Sequence, residues 1–80
     1  MKQFKIILPT VAEAKEFVAA ASRCDFDIDV FYNRVIIDAK SILGVLSLDL
    51  SQILTVQLNG AEAEFEKHLK KLAPENSSAA

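Results

Sequence analysis

The stretch Phe26-Asp27-Ile28-Asp29-Val30-Phe31-Tyr32-Asn33-Arg34-Val35-Ile36-Ile37-Asp38 constrains the fold more than any other part of the chain. Apolar and acidic residues alternate at its start with the period of two that sends successive side chains to opposite faces of a strand. The pattern predicts a half-buried strand over 26–32 with its aspartates in water. Asn33-Arg34 is then a two-residue hairpin candidate. Asn tolerates the left-handed region, although Arg stands where Gly is usual. Val35–Asp38 is the returning strand. So short a link allows only antiparallel pairing, which excludes a βαβ crossover at this point.

The flanking segments complete the pattern. Lys2–Leu8 reads as a strand, rich in Phe and Ile and stopped by Pro9. Thr10-Val11-Ala12-Glu13 has the form of a capping box. A helix should follow to about Arg23, with Val11, Ala14, Phe17, Val18 and Ala21 on its apolar side. Ser41–Leu48 suits a short helix, with Ile42, Val45 and Leu46 sharing a side and Gly44 weakening it by about 1 kcal/mol relative to Ala. Ile53–Leu58 alternates again and closes on the turn dipeptide Asn59-Gly60. Ala61–Leu72 is the last helix, with Ala61, Phe65, His68, Leu69 and Leu72 on one side. Pro74 ends it, and 74–80 reads as a disordered tail. The expected order is βαββαβα. Alternating strands imply a sheet with one wet face and one face covered by helices, an α+β two-layer domain over residues 1–73.

Composition narrows the function. Eighty residues make one domain, and 51% of them are hydrophobic, which is a globular rather than a disordered composition. A net charge of −2 gives no basic footprint for nucleic acid, and the cluster Lys67, Lys70, Lys71 is interleaved with glutamates on the last helix, as in a solvated face. No apolar run reaches the roughly 18 residues of a membrane span. Lys2, Gln3 and Lys5 break up the opening segment, so no signal peptide is expected. Cys24 is the single cysteine, which rules out an internal disulfide and fits a reduced setting. Together these lead to an expected cytoplasmic location.

The inventory for catalysis is thin. His68 is the lone histidine and has no partner motif, so a structural or surface role is the simpler reading. Gly44 and Gly60 stand alone, and no glycine-rich loop is present to cradle a phosphate. Asp25, Asp27 and Asp29 would share one strand face about 7 Å apart with no loop to wrap an ion, so no metal site and no cofactor is expected. Cys24 reads as a small packing residue.

Lys40-Ser41-Ile42-Leu43-Gly44-Val45-Leu46-Ser47-Leu48 resembles the regulatory-serine segment of HPr, the phosphocarrier of the bacterial sugar phosphotransferase system, in the form seen in Gram-positive HPr and its paralogue Crh. Phe26–Lys40 is similar to that family's hairpin without a gap, Ile53–Leu72 to its last strand and helix, and Phe17-Val18 to residues of its first helix. The resemblance covers nearly the whole chain. It implies an open-faced β-sandwich, a four-stranded antiparallel sheet with three helices on one face, in a protein that is not an enzyme.

The resemblance also marks a departure. The family carries its phosphoryl group on a loop histidine between the first strand and first helix, followed closely by an arginine. Thr10 lies near the histidine's place and Ala12 near the arginine's. A threonine cannot serve as a reversible phosphoramidate, Ala12 offers no charge to a phosphoryl dianion, and Glu13 would repel one. The family's serine, phosphorylated by a dedicated kinase, matches Ser41, which also has the type of a helix N-cap. Its exposed apolar docking residues match Leu43 and Leu46, with Lys40 adjacent.

The resemblance thus implies a regulatory, protein-binding module without histidine phosphocarrier activity, with Ser41 as a candidate switch. The implied partners are phosphotransferase-system proteins, an HPr-type serine kinase or a transcriptional regulator. A working phosphocarrier with an unusual acceptor and a self-associating structural unit are the alternatives.

Overall fold

The computed structural model describes residues 2–74, and the part of the expected tail from 75 to 80 lies outside the described residues. The elements are β1 (Lys2–Ile6), α1 (Val11–Ser22), β2 (Ile28–Tyr32), β3 (Val35–Asp38), α2 (Ile42–Leu46), β4 (Leu54–Leu58) and α3 (Ala63–Lys71), in the expected order. All pairs are antiparallel, and the four strands lie side by side as β1-β4-β2-β3.

Strand alternation decides which side chains the helices cover. Ile6, Ile28, Val30, Leu54, Val56 and Leu58 are buried on one face. Ala14, Phe17 and Val18 of α1 and Phe65 and Leu69 of α3 belong to the same core. The rings of Phe17 and Phe65 pack with centroids 6.0 Å apart in a tilted arrangement. The opposite face is polar where β1 meets β4. Gln3 Nε2 donates to Gln57 Oε1 at 2.9 Å, and Lys5 Nζ donates to Thr55 Oγ1 at 2.6 Å. The result is the expected α+β fold, a four-stranded antiparallel sheet with three helices.

Boundaries shift for identifiable reasons. β1 stops at Ile6 because the Ile7 N–H turns to the Leu72 carbonyl, 2.9 Å away, which ties the strand's exit to the end of α3. β2 starts at Ile28, and Phe26 before it packs against Gly60, where an added Cβ would lie 2.5 Å from the ring. Asp25 and Asp27 precede β2, and only Asp29 of the three aspartates lies on it. α3 begins at Ala63 rather than Ala61, because the Glu62 carboxylate caps it by accepting the Phe65 N–H at 3.1 Å. At the hairpin only Asn33 has positive φ, 55°, among the described non-glycine residues. Arg34 is therefore spared the left-handed conformation that would have required glycine. Pro74, first residue of the expected tail, is buried.

Candidate functional site

Two helix N-termini carry the residues in question. At the first, Thr10 has extended backbone (φ −135°, ψ 160°), and its Oγ1 accepts the Glu13 N–H at 3.1 Å. The hydroxyl therefore satisfies one of the free donors at the start of α1. Ala12 is exposed, and Glu13 places a carboxylate in the first turn. No cation occupies the place expected to correspond to the family's arginine. Val11, at the first helical position, is 54% exposed. A shallow groove of about 440 Å³ runs past this point, lined by Leu8, Pro9, Thr10 and Val11 on one side and Leu50 and Ser51 on the other. The α2–β4 loop is thus brought against the start of α1, a juxtaposition that the linear spacing of 10 and 50 does not reveal.

At the second N-terminus Ser41 is exposed and extended (φ −103°, ψ 108°), and its Oγ accepts the Gly44 N–H at 3.1 Å. α2 is held down by Val45, fully buried, and by Gly44. A Cβ on Gly44 would come within 2.6 Å of Ile37 Cγ2, so any side chain there would have to displace that methyl. The helix-weakening glycine is therefore a packing requirement. With this anchor, Leu43 projects outward at 80% exposure and Leu46 is 36% exposed. Ser47 Oγ donates to the Gly44 carbonyl at 2.6 Å and fastens the far end of the turn.

Lys40 is engaged within the fold. Its Nζ donates to the Cys24 carbonyl at 2.8 Å, and its N–H donates to Asp38 Oδ1 at 2.9 Å. The ammonium so placed joins the α1–β2 loop to the start of α2. Beyond α2, Asp49 Oδ1 accepts both the N–H and the hydroxyl of Ser51, which hold its carboxyl below the usual carboxylate range.

The remaining reactive side chains lie elsewhere. His68 is on α3, with Nε2 buried and unpartnered among the described residues. It lines a cleft of about 200 Å³ with Ala20, Arg23, Cys24, Glu62 and Lys71. That cleft is at the C-terminal end of α1, roughly 15 Å along the helix from Thr10 at about 1.5 Å per residue. Cys24 is buried, and burial, reinforced by the Glu62 carboxylate, pushes its thiol up and away from the reactive thiolate. No group of three metal-ligating side chains is found among the described residues, and no helix there is long and apolar enough to cross a membrane.

Comparison with known proteins gives one consistent result. Residues 10–74 match the family described as PTS HPr component phosphorylation site. The structure titled HPr-C-His from Thermoanaerobacter tengcongensis is similar over 89% of this chain and 89% of its own, with a TM-score of 0.74 and 30% identity. The phosphocarrier protein HPr from Bacillus anthracis aligns with a TM-score of 0.68 and 24% identity over 89% of this chain and 95% of its own. The histidine-containing phosphocarrier protein of Mycoplasma aligns with a TM-score of 0.70 and 19% identity over 88% and 89%. The last two likenesses bear on the fold alone. No curated protein sequence matches the chain.

Proposed function

The chain belongs to the HPr family of phosphocarrier proteins, and from that premise we propose that it is a docking and regulatory member that does not carry phosphate on histidine. The observation that carries the proposal is the residue type at the start of α1. A threonine caps that helix, followed by Ala12 and by Glu13 in the first turn, and the imidazole of His68 lies near the other end of α1.

Leu43 and Leu46 serve as the docking contacts. An 80% exposed leucine on a helix anchored by Val45 presents apolar surface without cost to the core. Lys40 contributes by fixing the start of α2, and its positive charge lies next to Ser41 in sequence. The partners are proteins of the bacterial phosphotransferase system or a transcriptional regulator, met in the cytoplasm. NMR titration with enzyme I or another such protein is expected to move the amide signals of 41–48, and Leu43→Asp is expected to abolish the shifts. Undiminished binding by Leu43→Asp removes α2 as the docking surface.

Ser41 is the proposed switch. Its hydroxyl is exposed, and no carboxylate lies in the first turn of α2. A kinase of the HPr-serine type would move the γ-phosphoryl of ATP to Oγ, and the new dianion would stand beside Leu43. Intact-mass measurement after incubation with that kinase and ATP tests this reading. One added phosphate, absent in Ser41→Ala, supports it, and an unmodified chain contradicts it.

A further inference from the structure

β3 is an edge of the sheet, with one side of its backbone facing no other strand. The register sets Ile37 against buried Val30, so Ile36, opposite Phe31, and Asp38, opposite Asp29, lie on the face away from the helices. Arg34 precedes Ile36 by two residues and has the same parity. Exposed edges are normally blunted by proline, by charge, by a bulge or by being short. Val35–Asp38 is short and ends on Asp38, but it contains no proline or lysine and leaves Ile36 66% and Val35 47% exposed.

The order of side chains along this edge is self-complementary. In antiparallel pairing centred on Ile36, each Arg34 meets the Asp38 of the other copy, Val35 meets Ile37, and Ile36 meets Ile36. The pairing also answers a charge defect within one copy. Asp29 and Asp38 are direct cross-strand neighbours, an unfavourable like-charge arrangement, and Asp38, whose Oδ1 accepts the Lys40 N–H and whose carbonyl accepts the Ser41 N–H, meets no cationic side chain among the described residues. Arg34 makes no ion pair among the described residues. A second copy would bring its Arg34 to Asp38, and the two Phe31–Ile36 pairs would join into one apolar row across the seam.

We infer that β3 is a self-association edge, on which two copies of this chain pair antiparallel about Ile36 and fuse their sheets into one. The interface is isologous, with each contact made twice. It is also short, so the dimer is weak and forms reversibly as concentration rises. Ile36 is on the face away from the helices, whereas Leu43 and Leu46 are on α2, which packs on the other face of β3, so the two proposals are tested through different residues.

Sedimentation equilibrium of the full chain across a concentration series tests the inference. The wild type is expected to follow a monomer–dimer equilibrium. Arg34→Asp, which turns two attractive cross-strand pairs into repulsive ones, is expected to weaken the dimer about tenfold. Combining it with Asp38→Arg restores the pairs in reversed order and is expected to recover part of the loss, because it also removes the carboxylate that accepts the Lys40 N–H. Ile36→Lys and the milder Ile36→Thr are expected to reduce dimerisation while leaving the circular dichroism of the monomer unchanged. A Leu43→Asp, Leu46→Asp variant is expected to dimerise like the wild type. A wild type that is monomeric throughout, or a dimer indifferent to Arg34→Asp and both Ile36 changes, or one lost only with Leu43 and Leu46, overturns it.

Discussion

Thr10 and Ser41 are the same device in two settings. Each sits in extended backbone at a helix start, and each hydroxyl oxygen accepts the N–H three residues on at 3.1 Å. Behind Thr10 is a helix of 12 residues that buries Ala14, Phe17, Val18, Ala20 and Ala21, with Glu13 in its first turn. Behind Ser41 is a helix of 5 residues that buries only Val45, with no acidic residue in its first turn. The difference teaches that a cap alone does not define a phosphate site. The first cap opens a long structural helix with a carboxylate in its first turn. The second opens a short turn whose exposed end is free to meet something else.

The comparison can be broken at its foundations first. Phe17→Ala removes the ring packed on Phe65 from a fully buried site. Urea denaturation should show a loss of about 3–5 kcal/mol. A loss below about 1 kcal/mol would mean that the Phe17–Phe65 contact does not hold α1 on the core.

Gly44→Ala sharpens the contrast next. Helix propensity alone favours alanine by about 1 kcal/mol. The new Cβ would meet Ile37 Cγ2 at 2.6 Å, and that β-branched methyl is stiffly placed. Overpacking is therefore expected to win, with a net loss of about 1–2 kcal/mol in the same measurement. A stabilised variant would show that α2 is less closely seated on β3 than described.

The caps themselves come third. Thr10→Ala and Ser41→Ala should each cost about 1 kcal/mol. The distinction lies in the local effect, since hydrogen exchange should quicken in α2 for Ser41→Ala and leave α2 unchanged for Thr10→Ala. Smallest is the pH response of the loop that follows α2. The Asp49 carboxyl is held below its ordinary 3.8 by Ser51. Because the folded form has the lower pKa, this contribution is present above 3.8 and fades as pH falls through the folded value. Asp49→Asn should therefore be slightly less stable than the wild type by a constant amount at neutral pH, with the difference vanishing as pH falls through the acid range, and a difference that persists at the acid end would contradict the assignment.

Much of the fold was legible from the residues. The period-two runs at 26–32 and 53–58 and the Thr10-Val11-Ala12-Glu13 pattern depend on local chemistry, and local chemistry is what a linear reading captures. Long-range contacts were not legible. The end of β1 depends on the Leu72 carbonyl, and the close approach of α2 depends on Ile37. Spacing grouped Ile42, Val45 and Leu46 on one side, yet a helix of 5 residues is too short for its period to rank them, and Leu46 emerges partly exposed. The exposure of Ile36 follows from its place on the uncovered face of a strand at the sheet edge, and only the strand order shows β3 to be that edge. At the candidate site the residue types at 10, 12 and 41 could be read directly. The approach of Leu50 and Ser51 to Thr10, and the engagement of Lys40 by Cys24, needed the fold.

The central claim is tested most directly by incubating the chain with phosphoenolpyruvate and enzyme I beside a histidine-bearing HPr, and following intact mass and acid lability. The account predicts an unmodified chain while the control gains an acid-labile phosphate. A phosphate on this chain, whether mapped to His68 or to Thr10, would contradict it.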